Sequence, residues 1–445
     1  MSGLVLLAAI LPALLAQGHQ EAVCEQFTLP NGSRVVVMEE PWNPLIAIGV
    51  VVAAGVGDEG IYGGIGAVAA HASLRGTKHL PAASVARDIA RAGDSVVVGR
   101  EPDCLTYTAV TTRSAFADAT YALCQALMHP SLDAEAVAWA RGRVVRALER
   151  EGADPLATAT AAFRNAAFRS APYGGSLYGT RESLARITAE VVDQWHQAHV
   201  TSDRTTFAIC GAIDAATVRE ILTRQLAEFT RRSRGRFEGP KDPERLLEDL
   251  TVRRQRPIHT AIVGTGFPGP GVSHSDYPAF LVLATILGGG KASRLFQAFR
   301  DEVGIGYEVG AEYPGLLAAS YLVGYLELDA SKLDDGGRGA KTPQLRERVR
   351  SIFARASSVP PTDAELRRAK MYLRGSLLRR TERARDRALW AAWQVGVARA
   401  APELDAFLKT VEQVSAQQVL EAARRYLEQG VDLLILPEAR GVPSP

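Results

Sequence analysis

Gly64-Ile-Gly-Ala-Val-Ala-Ala-His-Ala-Ser-Leu-Arg-Gly-Thr77 is the stretch from which the rest of the chain can be read. It predicts a helix from about Gly64 to Leu74 in which His71 is the one side chain of a kind that commonly ligates zinc. Residues four apart share one helical face, and the position four before His71 is Ala67, while its immediate predecessor is Ala70. Neither alanine can ligate a metal or move a proton. Catalytic zinc takes about three protein ligands plus a water, so His71 reads either as a core-satisfied histidine or as a residual or intersubunit ligand.

Upstream of this helix, Phe27 to Met38 reads as strand, Asn-Gly turn, strand, and Leu45 to Val56 as a second apolar strand running into Gly55-Val-Gly-Asp-Glu59. Downstream, a helix is predicted over Ala82 to Ala92, then strands over Ser95 to Gly99 and Leu105 to Thr111. Helices follow over Ser114 to Met128, Asp133 to Glu151 and Pro155 to Phe168, each with apolar residues at i, i+3 and i+4. A closing strand, Thr205 to Gly211, leads into a helix over Ala216 to Phe229.

Residues 231–257 are charged and punctuated by Gly and Pro, which marks a linker. The pattern then restarts with strand His259 to Gly266, helix Tyr277 to Leu287, Gly288-Gly289-Gly290, helix Ser293 to Glu302, and strands Tyr307 to Tyr313 and Ala319 to Leu328. Helices near Pro343 to Ala356, Asp363 to Arg379, Arg383 to Ala398 and Ala416 to Glu428 precede a last strand, Val431 to Leu436. Asp334 to Ala340 reads as a flexible loop. The shared order of elements implies a diverged internal duplication, with one domain over 23–230 and a second over 258–440. The second half holds only His259 and His274, with no carboxylate at ligand spacing from either.

At 445 residues, 47% hydrophobic and 22% charged, the chain has the composition of a globular protein with two or three full cores. A net charge of +2 gives no argument for nucleic acid as a partner. Basic residues cluster between Arg367 and Arg387, as a solvated face or a docking surface for an acidic partner. Residues 1–18 contain an apolar run, Leu4 to Leu15, ending in Ala16-Gln-Gly18; this is expected to be a secretory signal, and the run is shorter than the ~20 residues that span a bilayer. Export, to a bacterial periplasm, would permit one or two disulfides among Cys24, Cys104, Cys124 and Cys210. Cys124 and Cys210 lie in apolar periodic runs, so buried thiols are the other reading.

The frame Gly64 to Thr77 resembles the signature helix of the insulinase/pitrilysin (M16) zinc peptidases, roughly Gly-Leu-x-His-x-x-Glu-His-x-x-x-x-Gly-Thr. Aligned on Gly76-Thr77, the resemblance puts the first zinc histidine at Ala67, the general-base glutamate at Ala70 and the second histidine at His71. Register with Asp154-Pro155 puts the third ligand at Ala147. Gly288-Gly-Gly-Lys-Ala-Ser-Arg-Leu-Phe-Gln-Ala-Phe-Arg300 and Tyr307, seven residues further on, resemble the second-domain motif of the same family. The resemblance implies an α+β fold of two homologous LuxS/MPP-like domains, each a mostly antiparallel sheet packed with helices. It also implies an edge strand after the signature helix that pairs with the substrate backbone.

The functional implication is a division of labour. The resemblance suggests a zinc-less subunit, with no metal or cofactor of its own, that pairs with a homologous zinc-bearing subunit. Arg300 and Tyr307 would donate to the substrate carbonyl and the developing oxyanion, and Gly288, Gly289 and Gly290 would either handle incoming peptide or cap a helix. The alternative is a non-catalytic scaffold subunit of a larger, respiratory-core-like complex, with Arg300 paired to a helix acid and Tyr307 only beginning a strand.

Overall fold

The computed structural model describes residues 23–81, 85, 96–168, 172–231, 245–333 and 341–438. The expected signal segment, the loop at 334–340 and all of the Ala82 to Ala92 helix except Val85 lie outside these residues. The first half contains β1 (Val23–Thr28), β2 (Arg34–Glu39), β3 (Leu45–Val52), α1 (Ile65–Ser73), β4 (Val97–Glu101), β5 (Cys104–Thr112), α2 (Phe116–Met128), α3 (Ala134–Ala153), α4 (Pro155–Ala167), α5 (Ala189–His199), β6 (Thr205–Gly211) and α6 (Ala215–Gln225). The second contains β7 (Leu250–Arg256), β8 (Ala261–Pro270), α7 (Tyr277–Gly288), β9 (Glu308–Glu312), β10 (Ala319–Leu328), α8 (Lys341–Ser358), α9 (Asp363–Arg380), α10 (Ala384–Trp393), α11 (Leu404–Glu412), α12 (Ala416–Tyr426) and β11 (Val431–Pro437).

The strand order is β1-β2-β6-β3-β5-β4 in one sheet and β7-β11-β8-β10-β9 in the other. In both, a single parallel pair (β2 with β6, β7 with β11) starts a run of antiparallel pairs. Apart from the extra strand β1, the two sheets have the same topology, so the duplication and the α+β class read from the sequence are both present.

One expectation needs correcting. The last residues of the presumed linker, Leu250–Arg256, form β7, which is the counterpart of β2 and the true start of the second repeat. Arg253, Arg254 and Arg256 are exposed on this sheet-edge strand. Edge strands carry charge because it discourages pairing with another chain, and that same charge hides the alternation by which a strand is recognised.

Each repeat lends a helix to the other's sheet. Along β3, Ile46, Ile48, Val50 and Val52 face the helices of their own half, whereas Ala47 and Val51 pack with Ala388, Ala391 and Ala392 of α10 from the second half. Reciprocally, α4 of the first half sets Ala159 and Phe163 against Ile262, Val323 and Ile435 of the second sheet. Burial on both faces explains why β3 and β8 read as continuous apolar runs. Gly49 is required for the contact with α10: a Cβ there would lie 2.8 Å from the Ala388 carbonyl carbon and 2.9 Å from the Leu389 nitrogen.

Polar clasps fix the same seam. Arg387 donates from Nε and Nη2 to the two carboxylate oxygens of Glu40 at 2.8 and 2.7 Å. The Leu317 amide donates to Asp103 at 2.9 Å. All four cysteines are free thiols, three of them buried.

Candidate functional site: a degenerate metal helix and an exposed arginine–tyrosine pair

The turn entering α1 is built around two buried carboxylates. Glu59 accepts from the Gly64 and Gly66 amides at 2.7 and 3.0 Å, capping the helix start, and pairs with Arg100 at 2.8 Å. Burial pushes the Glu59 carboxyl up against the pull of Arg100 and those amides. Asp58 lies 3.0 Å from Arg204 and 3.4 Å from His199, and its carbonyl accepts from the Trp195 indole at 2.9 Å. Burial raises the Asp58 carboxyl, but bonds from His199 and Arg204 outweigh it and hold it below the usual range. Gly64 has φ +89°, and a Cβ there would lie 2.4 Å from the Tyr178 carbonyl oxygen, so glycine is needed at the helix start.

On α1 itself, every residue is buried except His71, which is half-buried. Ala67 and Ala70 are 2% and 1% exposed and lie within the apolar core. The helix packs against α3, which carries Ala147. Burial and the Arg143 guanidinium push the His71 imidazole down to about 4. The positions aligned with a zinc site therefore offer one neutral imidazole, three methyl groups and a neighbouring cation. That set does not fit zinc: the donors are too few, and Arg143 opposes a second positive charge. Glu149 and Glu151 do not supply the missing ligand, since Glu149 pairs with Arg181 at 2.6 Å and Glu151 accepts from Ser176 and faces Arg164 at 3.9 Å.

In the second half, the segment expected as one helix from Ser293 to Glu302 is a short α-helical turn, Arg294–Phe296, continued by a wider π-turn, Gln297–Asp301. The widened turn ends next to Gly304 and Gly306, both at positive φ. Arg300 is exposed and donates to the Gly306 carbonyl, one residue before Tyr307. Tyr307 is 66% exposed, and its amide donates to the Glu327 carbonyl at 2.7 Å. The Asp329 carboxyl is held below its usual range first by the Ser331 amide, with the Tyr307 hydroxyl among the further contributors. Arg300 and Tyr307 are thus brought together at the surface where β9 begins. Among the described residues, none of their bonds reaches His71 or the rest of α1.

The remaining landmarks have structural roles. Ser293 caps the short helix, Leu295 is fully buried, and Arg294 donates to both oxygens of Glu365 at 2.7 and 3.2 Å. Against burial, Arg294 and Thr362 hold Glu365 at about 2. Gly288 ends α7 against Ala311, and Gly289 donates to the Thr285 carbonyl at 2.8 Å. The glycines therefore do cap the helix. A cavity of about 290 Å³, lined by Thr285, Gly289, Lys291, Arg368 and Tyr372 among others, opens beside them.

Arg143 is the site residue that sequence reasoning missed. The signal available was its spacing, one turn before Ala147 on the helix expected to carry the third ligand.

Residues 34–181 match the family model described as insulinase (Peptidase family M16), and residues 186–373 match the Peptidase M16 inactive domain. An uncharacterised zinc protease of Bacillus subtilis is 23% identical over 422 residues, covering 94% of this chain and 100% of that protein. One from Mycobacterium leprae is 28% identical over 362 residues, 79% of this chain and 77% of its own. Among solved structures, a protease from Helicobacter pylori superposes with a TM-score of 0.83 at 17% identity, covering 94% of this chain and 100% of the other. A peptidase M16 inactive domain from Pseudomonas fluorescens gives 0.82 at 17% identity, covering 95% and 99%.

Proposed function

The chain belongs to the insulinase (M16) peptidase family, and from that premise we propose that it is the zinc-less subunit of an exported two-subunit peptidase. The observation that carries this reading is the donor set on α1 and α3: the α1 frame is intact and well packed, yet alanine occupies three of the four aligned positions, Ala67 and Ala70 on α1 and Ala147 on α3, and Arg143 stands beside the fourth.

Arg300 and Tyr307 are the chain's contribution to catalysis in this proposal. A tetrahedral intermediate concentrates negative charge on one oxygen, and a fixed guanidinium with a phenol can donate to it. Both groups are exposed and tethered to one short loop, so they are available to a peptide held by a zinc-bearing homologue. The peptide itself would bind by strand addition, which is largely sequence-tolerant because main-chain bonds carry it. The free strand β4 at the edge of the first sheet suits that role.

The test is co-expression with a zinc-bearing M16 homologue from the same source and a peptide-cleavage assay. Arg300→Ala and Tyr307→Phe should each lower kcat by about a hundredfold with little change in KM, the loss typical of removing one oxyanion donor. Wild-type turnover by both variants would overturn the assignment.

A further inference from the structure

We propose that the surface formed by α3 and the end of α1, directly over the degenerate metal motif, is a docking site for an acidic peptide segment. The inference names a substrate class for the reading above and rests on it only for the premise that the chain handles peptides.

Trp139, Arg143, Arg146 and Arg150 are all exposed. At 100° per residue their spacing places them within an arc of about 60°, a single continuous stripe along α3. Arg75, just past the end of α1, joins this stripe: its guanidinium carbon lies 4.8 Å from the Trp139 ring centroid, and that of Arg143 lies 5.2 Å from it. A guanidinium held over an aromatic ring keeps a fixed orientation and sheds water at less cost, so it is prepared for a carboxylate.

Nothing in the described fold neutralises this charge. No carboxylate among the described residues lies within ion-pair distance of Arg75, Arg143, Arg146 or Arg150. The acids further along the same helix are used elsewhere, Glu149 on Arg181 and Glu151 on Ser176 and Arg164. Glu135 is exposed one turn before Trp139, at the N-terminal end of the stripe. Like charges one turn apart cost a few tenths of a kcal/mol per pair, and among the described residues the Trp139 ring, under Arg75 and Arg143, is the group set against that repulsion.

Geometry favours an extended peptide as the occupant. Alternate side chains of a strand recur every ~6.8 Å, and four residues of helix rise ~6 Å. Arg143 and Arg146 are ~4.5 Å apart along the helix axis and Arg146 and Arg150 ~6 Å apart, so acidic residues at alternate positions fall within ~3 Å of register over the three arginines, a mismatch their long side chains can take up. Helix α1 also contacts β4, the free edge of the first sheet, so an extended chain can run beside this surface.

The experiment uses the full chain without any partner. A fluorescein-labelled peptide of about ten residues with Glu at alternate positions, about twice the ~17 Å length of the stripe, is titrated by anisotropy beside its Gln isostere and a single-stranded oligonucleotide of equal length. Binding of the Glu peptide should weaken with added salt, and the isostere should bind about tenfold more weakly. The double variant Arg143→Glu/Arg146→Glu should lose about tenfold. Arg367→Glu/Arg368→Glu, on α9, should bind as wild type. Should the double reversal fail to fold, Arg146→Gln carries the test with about a twofold loss. Equal binding of the isostere, no loss in the α3 variants, or tighter binding of the oligonucleotide each overturns the proposal. Because no cleavage is measured, failure here and failure of the Arg300/Tyr307 assay are separate results.

Discussion

The half-buried imidazole of His71 should make the protein acid-sensitive in a defined window. Burial and Arg143 push its pKa from an ordinary 6.5 to about 4, so folding favours the neutral ring. Between those two values the unfolded chain binds more protons than the folded one, and stability rises with pH. The contribution is fully present above about pH 6.5 and is lost as pH falls toward 4. At about 1.4 kcal/mol per unit the displacement caps the effect at roughly 3 kcal/mol, and the ring's partial exposure lowers the expected value to about 2 kcal/mol. Urea unfolding of wild type and His71→Gln, followed by circular dichroism near pH 7 and near pH 4.5, isolates it. His196, also pushed down to about 4 by burial, is common to both proteins and cancels in the difference. Arg143→Gln should shrink the wild-type loss, because it removes the cation that disfavours protonation. An identical pH dependence in wild type and His71→Gln would refute the argument.

Other outcomes follow from the same geometry. Arg387→Ala leaves the nearly buried Glu40 carboxylate unpaired at the seam between repeats and should cost about 3 kcal/mol in chemical denaturation. Adding Glu40→Gln should recover part of it. Gly49→Val forces α10 off the first sheet and should cost about 1–3 kcal/mol, read as a lowered unfolding midpoint. Ala67→His/Ala70→Glu/Ala147→Glu should take up about one zinc per chain, measured by metal analysis after dialysis, and its melting temperature should rise on zinc addition. A folded triple variant that stays zinc-free would show that these positions do not converge.

The signature helix was legible because its small residues, terminal Gly-Thr and single histidine occupy fixed positions, and packing has preserved that frame. Helix α5 was not predicted: only Val192, Trp195 and His196 are buried along it, too few to impose an apolar period. Helix α11 carries Leu404, Phe407, Leu408 and Val411 at helical spacing and could have been read. The exchange of α4 and α10 was beyond reach of any pattern, because an apolar stripe says that a face is covered and not which sheet covers it. The same limit hid the meeting of His71 with Arg143: the two residues lie on separate helices, and only the packing of α1 on α3 brings their charges into play.

The exchanged helices bear directly on where Arg300 and Tyr307 can act. Phe163 of α4 is fully buried against the second sheet, and Ala388, Ala391 and Ala392 of α10 are fully buried against the first. Separating the repeats would therefore strip the covering helix from both sheets at once, which ties their stability together. A hinge between the halves large enough to carry Tyr307 to the α1 surface would have to break the Glu40–Arg387 clasp and the Asp103–Leu317 bond as well. The arginine–tyrosine pair is exposed and bonded within its own repeat, and under the proposed role the nucleophile it would serve has to come from outside this chain's α1. The economical resolution is a second polypeptide facing that loop, and mass measurement of the native assembly, expected to exceed that of one chain by at least a homologous subunit, puts this to the test.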